Sequence, residues 1–464
     1  MIYVVTITIV ILVLSGITIY KAIWVRSKTD FMLAGRTLRW PVLVFTLLSS
    51  WIGAGSLLGG AENAYRHGFA ALWQPVGSWT GLIVVALIAG RARHFAQFTV
   101  PDLLELRYNA AARVLATIAI VISYTVITSY QFIGGGDILH LIFPQIDAHA
   151  GLIIIAVFVI LFTASAGMAS IAYLDLVIGS MVMLTMLIAT PLLLESSGGW
   201  ATVRARLPAT HFQALGDYDI WGALGLALPT MLLLIGNQGM YQKFFSARSE
   251  ADAKKSVFGW IIGTVVLESL LVALAVIASS RLHTDQPRQI VALTAKQALP
   301  PLLGAILMGG VFAKVISTAN NFLFSPATNL IHDVYERFID RNASQTRTLI
   351  VSRVTVVLLG VLAVLQTSAN ESVLAASLYA YTIYGAAITP SVLAVFLWRR
   401  ATTAGAVSSI LLGTAVTIWW QRAHSEIPAV YPALLVSLTS LIIVSLATAP
   451  PDSRKLERLD HPNA

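Results

Sequence analysis

Residues 49–65 read SSWIGAGSLLGGAENAY. Gly53, Gly55, Gly59 and Gly60 crowd one apolar stretch, with small and hydroxyl residues between them. Each glycine weakens a helix interior by about 1 kcal/mol relative to alanine. Two structures fit such a stretch. One is a helix packed closely through small residues. The other is a helix that unwinds in mid-segment, its freed backbone groups satisfied by something other than lipid. Alone, the segment fits packing slightly better. Residues 317–329, STANNFLFSPATN, tip the balance. Ser317, Thr318, Asn320, Asn321, Ser325, Thr328 and Asn329 share one apolar segment that also holds Pro326. Back-bonded hydroxyls and bridging amides explain several of them. So many together predict a polar cavity inside a membrane bundle.

The rest of the chain fits a bundle of that kind. Of 464 residues, 57% are hydrophobic and 11% charged, and the mean hydropathy is +0.78. The charge fraction is less than half that of a soluble domain. Apolar segments of about 20 residues, enough to cross a bilayer, recur at 2–22, 41–62, 69–90, 111–142, 151–167, 171–195, 221–241, 257–280, 301–334, 348–367, 373–398, 403–420 and 430–449. The first lacks a charged leader and a cleavage site, so it reads as a retained helix rather than a signal peptide. The chain is thus an all-α polytopic membrane protein with thirteen transmembrane helices. It forms one transmembrane domain, 1–449, with a polar cytoplasmic tail at 450–464. Between spans, 287–299 reads as a short surface helix, and GGGD at 134–137 as a flexible helix end.

Orientation follows from the basic residues. With residue 1 outside, cytoplasmic loops hold 22 of the 30 Lys and Arg and extracellular loops hold 7. Positive charge favours the cytoplasmic side, so the reading is N-out and C-in. The net charge of +8 is scattered through short loops. It sets topology and does not make a nucleic-acid surface. The chain has no cysteine, which excludes disulfides, thiolate metal sites and Cys nucleophiles. No H-E-x-x-H, P-loop or G-x-S-x-G motif is present, and the histidines are scattered, so enzyme classes are disfavoured.

Three ionisable residues lie deep in spans: Asp175, Glu268 and Lys314. Asp175 stands near the start of its span, within reach of cytoplasmic water. Glu268 sits in mid-span and reads as a hydrogen-bonded packing residue. A lysine at a helix centre costs about 3 kcal/mol to insert. Lys314 therefore needs a partner, a water path or a neutral amine. With Ser317 and Thr318 it shares a helix face by i, i+3 and i+4 spacing.

Taken in order, several stretches resemble the sodium/solute symporter family. TDFMLAGRTLRWPVLVFTLLSSWIGAGSLLGGAENAYRHG is similar to the family's first cytoplasmic loop and first core helix. GMASIAYLDLV, GNQGMYQKFFSARSEADAKKS, STANNFLFSPATNLIHDVY and TPSVLAVFLWRRATTAGAV resemble its later core segments. The likeness covers residues 29 to about 410. It implies a LeuT-like fold with a 5+5 inverted repeat: a first repeat at 41–195 and a second at 221–398. One extra helix at 2–22 precedes them and two at 403–449 follow. It also implies a secondary transporter for a small organic solute, working by alternating access in a bacterial inner membrane, without a cofactor and with sodium as coupling ion. Substrate contacts carried over fall on Gly55, Ser56, Gln74, Asn237, Gln238 and Tyr381. The family's second sodium site falls on the carbonyls of Ser49, Ile52 and Lys314 and the hydroxyls of Ser317 and Thr318. Asp175 matches an aspartate beside the cytoplasmic ion path and is the expected partner of Lys314.

This sequence departs from the family at three positions. Lys314 replaces a small residue. Gly239 stands where sugar carriers place a gating tyrosine, with Tyr241 as substitute. Ile178 replaces a glutamine. The first departure raises an alternative in which Lys314 takes the place of sodium and coupling is to protons or to nothing. The second argues against a sugar. A further alternative is a transporter-like sensor, which a fused signalling domain would support. Few charges line the implied site, so a neutral or zwitterionic solute is favoured over a dianion.

Overall fold

A computed structural model describes residues 1–464 apart from 24, 26, 96–97, 166, 370–371, 424 and 453–464, and at 22, 28, 90–95 and 369 the backbone alone. The expected tail at 450–464 thus lies outside the described residues from 453 onward. The described chain is helical, with one isolated bridge joining Leu38 to Ala247. Twelve helices are long and apolar enough to cross a bilayer, and a shorter apolar helix, Trp40–Trp51, lies among them.

The count differs from thirteen because of residues 41–62. Helix Trp40–Trp51 starts with Pro41 in its first turn, where no N–H is needed. It stops at Ile52, whose φ of −89° and ψ of 105° are extended. Helix resumes with a π-type turn at Gly55–Gly60 and continues as Ala61–His67. Gly68, at φ +65°, then turns the chain into helix Trp73–Phe95. Neither half of the broken segment has spanning length by itself.

Close contact dictates where the break falls. A Cβ on Gly53 would lie 2.5 Å from Thr318 Cγ2 and 2.7 Å from its Oγ1, so only glycine lets the chain pass this helix. The unwound groups find partners inside the protein, as the bilayer demands. Ala54 N–H donates to Gln131 Oε1 at 2.8 Å, and Gly53 O accepts from Leu57 N at 2.8 Å.

A second break mirrors the first. Helix Ile220–Gly236 ends where Asn237 turns to φ −54°, ψ 113°, and helix Gln238–Ser246 follows. The Asn237 side chain caps that helix by accepting from Met240 N at 2.9 Å. Tyr384 OH donates to the freed Gly236 carbonyl at 2.5 Å.

Packing around the two breaks is pairwise symmetric. Met168–Ser196 and Glu250–Ser279 flank Trp40–Trp51. Val373–Leu397 and Trp73–Phe95 flank Ile220–Gly236 in the same way. Pro301–Asn329 runs against Met168–Ser196 and Ala110–Ile142, and Ala110–Ile142 also runs against Val373–Leu397. Ile2–Ala22 lies outside this arrangement, on Pro301–Asn329, and the pair Thr403–Arg422 and Val430–Ala447 lies on Val373–Leu397. Helix Glu250–Ser279 is tied to the start of Trp40–Trp51 by Asp252 Oδ1, which accepts from Trp40 N at 3.1 Å. Outward faces carry exposed Leu, Ile and Val, such as Leu87, Leu161, Leu358 and Ile443, while Ser, Thr, Asn and Gln are buried. That inversion suits a lipid surround.

Two local expectations need correction. GGGD at 134–137 is no flexible end: it lies inside helix Ala110–Ile142. There a Cβ on Gly136 would come 2.6 Å from Leu152 N, so the glycines allow close approach of helix Ala148–Ser165. The expected surface helix forms at Ile290–Gln297, but Ile290, Val291, Ala292, Thr294 and Ala295 are buried, so it is packed rather than free.

Candidate functional site

At the first break, oxygen atoms converge. Thr318 Oγ1 lies 3.1 Å from Ser49 O, 3.2 Å from Ile52 O and 2.9 Å from Lys314 O. One hydroxyl carries one proton, so it satisfies one of these carbonyls at a time. Lys314 Nζ reaches the same junction, donating to Ser49 Oγ at 2.7 Å and to Leu48 O at 3.3 Å. Ser49 Oγ is 3.4 Å from Ser317 Oγ, and Ser317 donates to Asp175. All five residues implied for the ion site, Ser49, Ile52, Lys314, Ser317 and Thr318, therefore meet.

Asp175 does not pair directly with Lys314. Among the described residues the two make no ion pair within 4 Å. The carboxylate instead accepts from Thr46 Oγ1 at 2.6 Å, from Asn321 Nδ2 at 3.2 Å and from Ser317. It is 0% exposed, which removes the expected contact with water. A second lysine joins this network. Lys243 Nζ donates to Thr46 O at 3.0 Å and to Asn321 Oδ1 at 2.8 Å, and it is 0% exposed. In the sequence it reads as a loop charge, because five residues separate it from Gln238; the second break carries it inward.

The polar residues of 317–329 turn out to be shared out between helices rather than gathered round one cavity. Asn320 accepts from Thr163 at 2.8 Å, Ser325 donates to Gln242 at 3.2 Å and Asn329 donates to Asp333 at 2.9 Å. The first two bonds bridge neighbouring segments and the third spans one turn, i to i+4, of the same helix, which fits the packing alternative.

A cavity does lie next to the junction, on the other side of Trp51. It spans about 370 Å³ between atoms, of which about 20 Å³ admits the centre of a water molecule, so entry of a solute must move side chains. Ser56, Gln74 and Tyr381 line it as expected, with Trp51, Thr230 and Glu268. Gly55 adjoins it: a Cβ there would lie 2.8 Å from Tyr381 OH. Asn237 and Gln238 do not line it. Asn237 is spent as the helix cap, and Gln238 Oε1 accepts from Val100 N at 2.6 Å. Tyr241 is buried against Phe244, Phe245 and Phe396, also away from the cavity.

Glu268, expected as a hydrogen-bonded packing residue, is hydrogen-bonded as expected, and among the described residues it is the one acidic or basic residue lining this cavity. Oε1 accepts from Trp51 Nε1 at 3.0 Å, and Oε2 accepts from Ser78 Oγ at 3.0 Å and Trp79 Nε1 at 2.9 Å. The tryptophans were the available signal: two indole donors on separate helices call for an acceptor.

At one end of the bundle a charged cluster ties three segments. Arg113 pairs with Asp333 at 2.8 Å, with Asp102 at 2.6 Å and with Glu105, and Arg337 reaches Glu105 at 2.8 Å. Burial raises the Asp102 carboxyl, but its His332 bond and the nearby Arg113 charge more than offset this and hold it below its ordinary value. Burial likewise opposes Arg337 and Arg113 at Glu105, and again the cations prevail.

Two broken helices, polar contacts at both breaks and a cavity lined by residues of both broken segments are the arrangement found in inverted-repeat secondary transporters. Comparison with known proteins agrees. The chain belongs to the sodium:solute symporter family, whose description matches residues 31–413. It is thus a multi-pass membrane symporter of the sodium-coupled class and not an enzyme. A sodium/proline symporter of Staphylococcus aureus (strain NCTC 8325 / PS 47) is 24% identical over 456 residues, covering 92% of this chain and 88% of that protein. In fold, the chain is similar to a Na+-coupled sialic acid symporter in its substrate-bound outward-open state, with TM-score 0.85 and 14% identity over 97% of this chain and 98% of that one. It is also similar to a nucleobase-cation-symport-1 family transporter in a closed conformation, with TM-score 0.61 and 10% identity over 94% and 99%. These two likenesses are of fold alone, a LeuT-like one.

Proposed function

We propose that this symporter carries a small neutral or zwitterionic organic solute, bound in the cavity beside Trp51, Ser56, Gln74 and Tyr381. The S. aureus sodium/proline symporters make amino acids the first solutes to try. Sodium binds at the first break, on the carbonyls of Ser49, Ile52 and Lys314 and the hydroxyls of Ser317 and Thr318. The observation that carries this reading is the convergence of three carbonyls on one hydroxyl, within 2.9–3.2 Å. Oxygen atoms left with spare lone pairs at one point are the donor set a hard cation takes. Transport then proceeds by alternating access between two inverted repeats, 41–195 and 221–398. The preceding helix at 2–22 and the two at 403–449 complete one transmembrane domain, 1–449. Counting the broken segment as one crossing gives thirteen spans, N-out and C-in, in a bacterial inner membrane.

A second reading rests on one further observation. Lys314 Nζ already donates to Ser49 Oγ at 2.7 Å, on the residue that supplies an ion-site carbonyl. In this reading the ammonium stands in for sodium, and Ser317 relays its link to Asp175. Reconstituted protein separates the two. Uptake of labelled amino acids is measured under an inward sodium gradient and in choline. Accumulation that requires sodium and is lost in Thr318→Ala supports the ion site. Uptake indifferent to sodium overturns it in favour of the lysine.

A further inference from the structure

Glu268 is a carboxylate without a counter-charge. It lies in mid-helix and 4% exposed, and among the described residues no Lys, Arg or His comes within 4 Å of it. Its bonds come from two indoles and one hydroxyl, all neutral donors. Hydrogen bonds of this kind support the ionised form, but they do not cancel its charge. An uncompensated buried ion costs several kcal/mol. Such a group is either neutralised by a proton or met by a charge that something else brings to it.

Geometry says where that charge would arrive. A carboxylate offers about four lone-pair sites. Oε2 accepts two hydrogen bonds and Oε1 accepts one, so an acceptor site is left on Oε1, in a residue that lines the cavity. Trp51 and Tyr381 line the same cavity, their rings stacked with centroids 6.1 Å apart. Aromatic faces attract a cation, so the wall around Glu268 suits a positive nitrogen on an apolar frame.

We propose that Glu268 is the recognition group for a positively charged nitrogen on the transported solute. This rests on the cavity being the substrate site and narrows the solute class from neutral or zwitterionic to one bearing an ammonium or iminium group. The solute's nitrogen donates to Oε1 while Trp51, Ser78 and Trp79 hold the carboxylate in place. Gln74 and Ser56, on the same cavity, are left for the solute's polar remainder.

The test uses one ring frame with three charge patterns: pyrrolidine as cation, L-proline as zwitterion and cyclopentanecarboxylate as an anion without nitrogen. A wider panel adds small primary and secondary amines and N-methylated amino acids that keep an N–H, each with a neutral isostere. Binding to the purified full chain is read by thermal shift and by displacement of a bound member of the panel. Nitrogen cations or zwitterions bind, their isosteres without charged nitrogen do not, and Glu268→Gln weakens binding tenfold or more while Glu268→Asp restores part of it. Whether pyrrolidine or L-proline binds tells a bare cation from a zwitterion. Isosteres that bind as well as the amines overturn the proposal on the wild-type protein alone, whether or not any variant folds. So does a folded Glu268→Gln that binds amines unchanged, including the case where only the pH dependence of uptake is lost and the carboxylate carries a proton. Failure of the whole panel to bind overturns it too. Ser56→Trp, which fills the cavity, isolates the underlying reading. If it leaves amine binding intact, the substrate site lies elsewhere. If it abolishes binding that Glu268→Gln leaves untouched, the site stands and only the role of Glu268 falls.

Discussion

Replacing Lys314 with methionine removes one charge and keeps a long flexible side chain. The nitrogen lies 2.7 Å from Ser49 Oγ, and the Ser49 carbonyl is one of the three that converge on Thr318. An ion on those carbonyls would therefore sit about 4 Å from the ammonium. At an effective dielectric of about 20, two unit charges at that distance repel by about 4 kcal/mol. That corresponds to roughly a thousandfold in a binding constant. The substitution also has a cost, since Ser49 Oγ and Leu48 O lose a donor, worth about 1–3 kcal/mol. The expected result is a variant that unfolds earlier without sodium yet binds sodium ten to a thousand times more tightly. The assay is a sodium titration of the unfolding temperature in detergent, with potassium holding ionic strength constant. A folded Lys314→Met protein whose half-saturating sodium equals that of the wild type would refute the reasoning, because the ammonium would then not share the ion's neighbourhood.

Asn237→Ala removes the cap on Met240 N, and a loss of about 1 kcal/mol is expected as a lower unfolding temperature, largely restored by Asp at the same position. Gly136→Val forces helices Ala110–Ile142 and Ala148–Ser165 apart, at about 1–3 kcal/mol or more, whereas Gly16→Ala, inside helix Ile2–Ala22 with nothing within 4 Å, should leave stability unchanged or raise it by up to about 1 kcal/mol in the same measurement. The lowered carboxyls of Asp102 and Glu105 stabilise the fold above their ordinary values of 3.8 and 4.5, and this contribution is lost as pH falls through their lower folded values. Unfolding temperature should thus hold from pH 7 to about 5 and drop below about 4.5, with a smaller drop in Glu105→Gln.

Much of the fold was legible because its constraints are local. Glycine density marked the first break, since an unwound segment that passes another helix must shed its side chains; the contact of Gly53 with Thr318 is the instance. The ion-site oxygens came from the family resemblance alone, and the structure brings those residues, Ser49, Ile52, Lys314, Ser317 and Thr318, to one junction. What failed depended on neighbours that a linear reading does not see. Asn320, Ser325 and Asn329 suggested a cavity by number, but Asn320 accepts from Thr163 and Ser325 donates to Gln242 on other segments, while Asn329 donates to Asp333 one turn further along its own helix. Lys243 looked like a loop residue until the second break carried it to Thr46. Asn237 and Gln238 stand at that break, yet one caps it and the other reaches Val100. Glu268 could not be placed in the sequence because its meaning lies in Trp51 and Trp79, both nearly 200 residues earlier or more.

Helix Glu250–Ser279 holds the half-helix Trp40–Trp51 at three points. Asp252 grips its first residue, Glu268 grips its last, and between them Gly259 admits Val44 so closely that a Cβ would lie 2.6 Å from Val44 Cγ2. The grips are 16 residues apart, about 24 Å along one rod, and the half-helix they clasp is about 18 Å long. Mechanically the two are one splinted lever. Whatever turns the half-helix must carry its splint along or tear both end grips at once. The same helix also packs on Gly55–Gly60 and Ala61–His67 beyond the break, so it spans the joint at Ile52 to Ala54, where Thr318 and Gln131 make single hydrogen bonds. A solute held by Glu268, as proposed above, would pull on the clasp at Trp51, so filling the cavity would load the same half-helix whose end forms the joint.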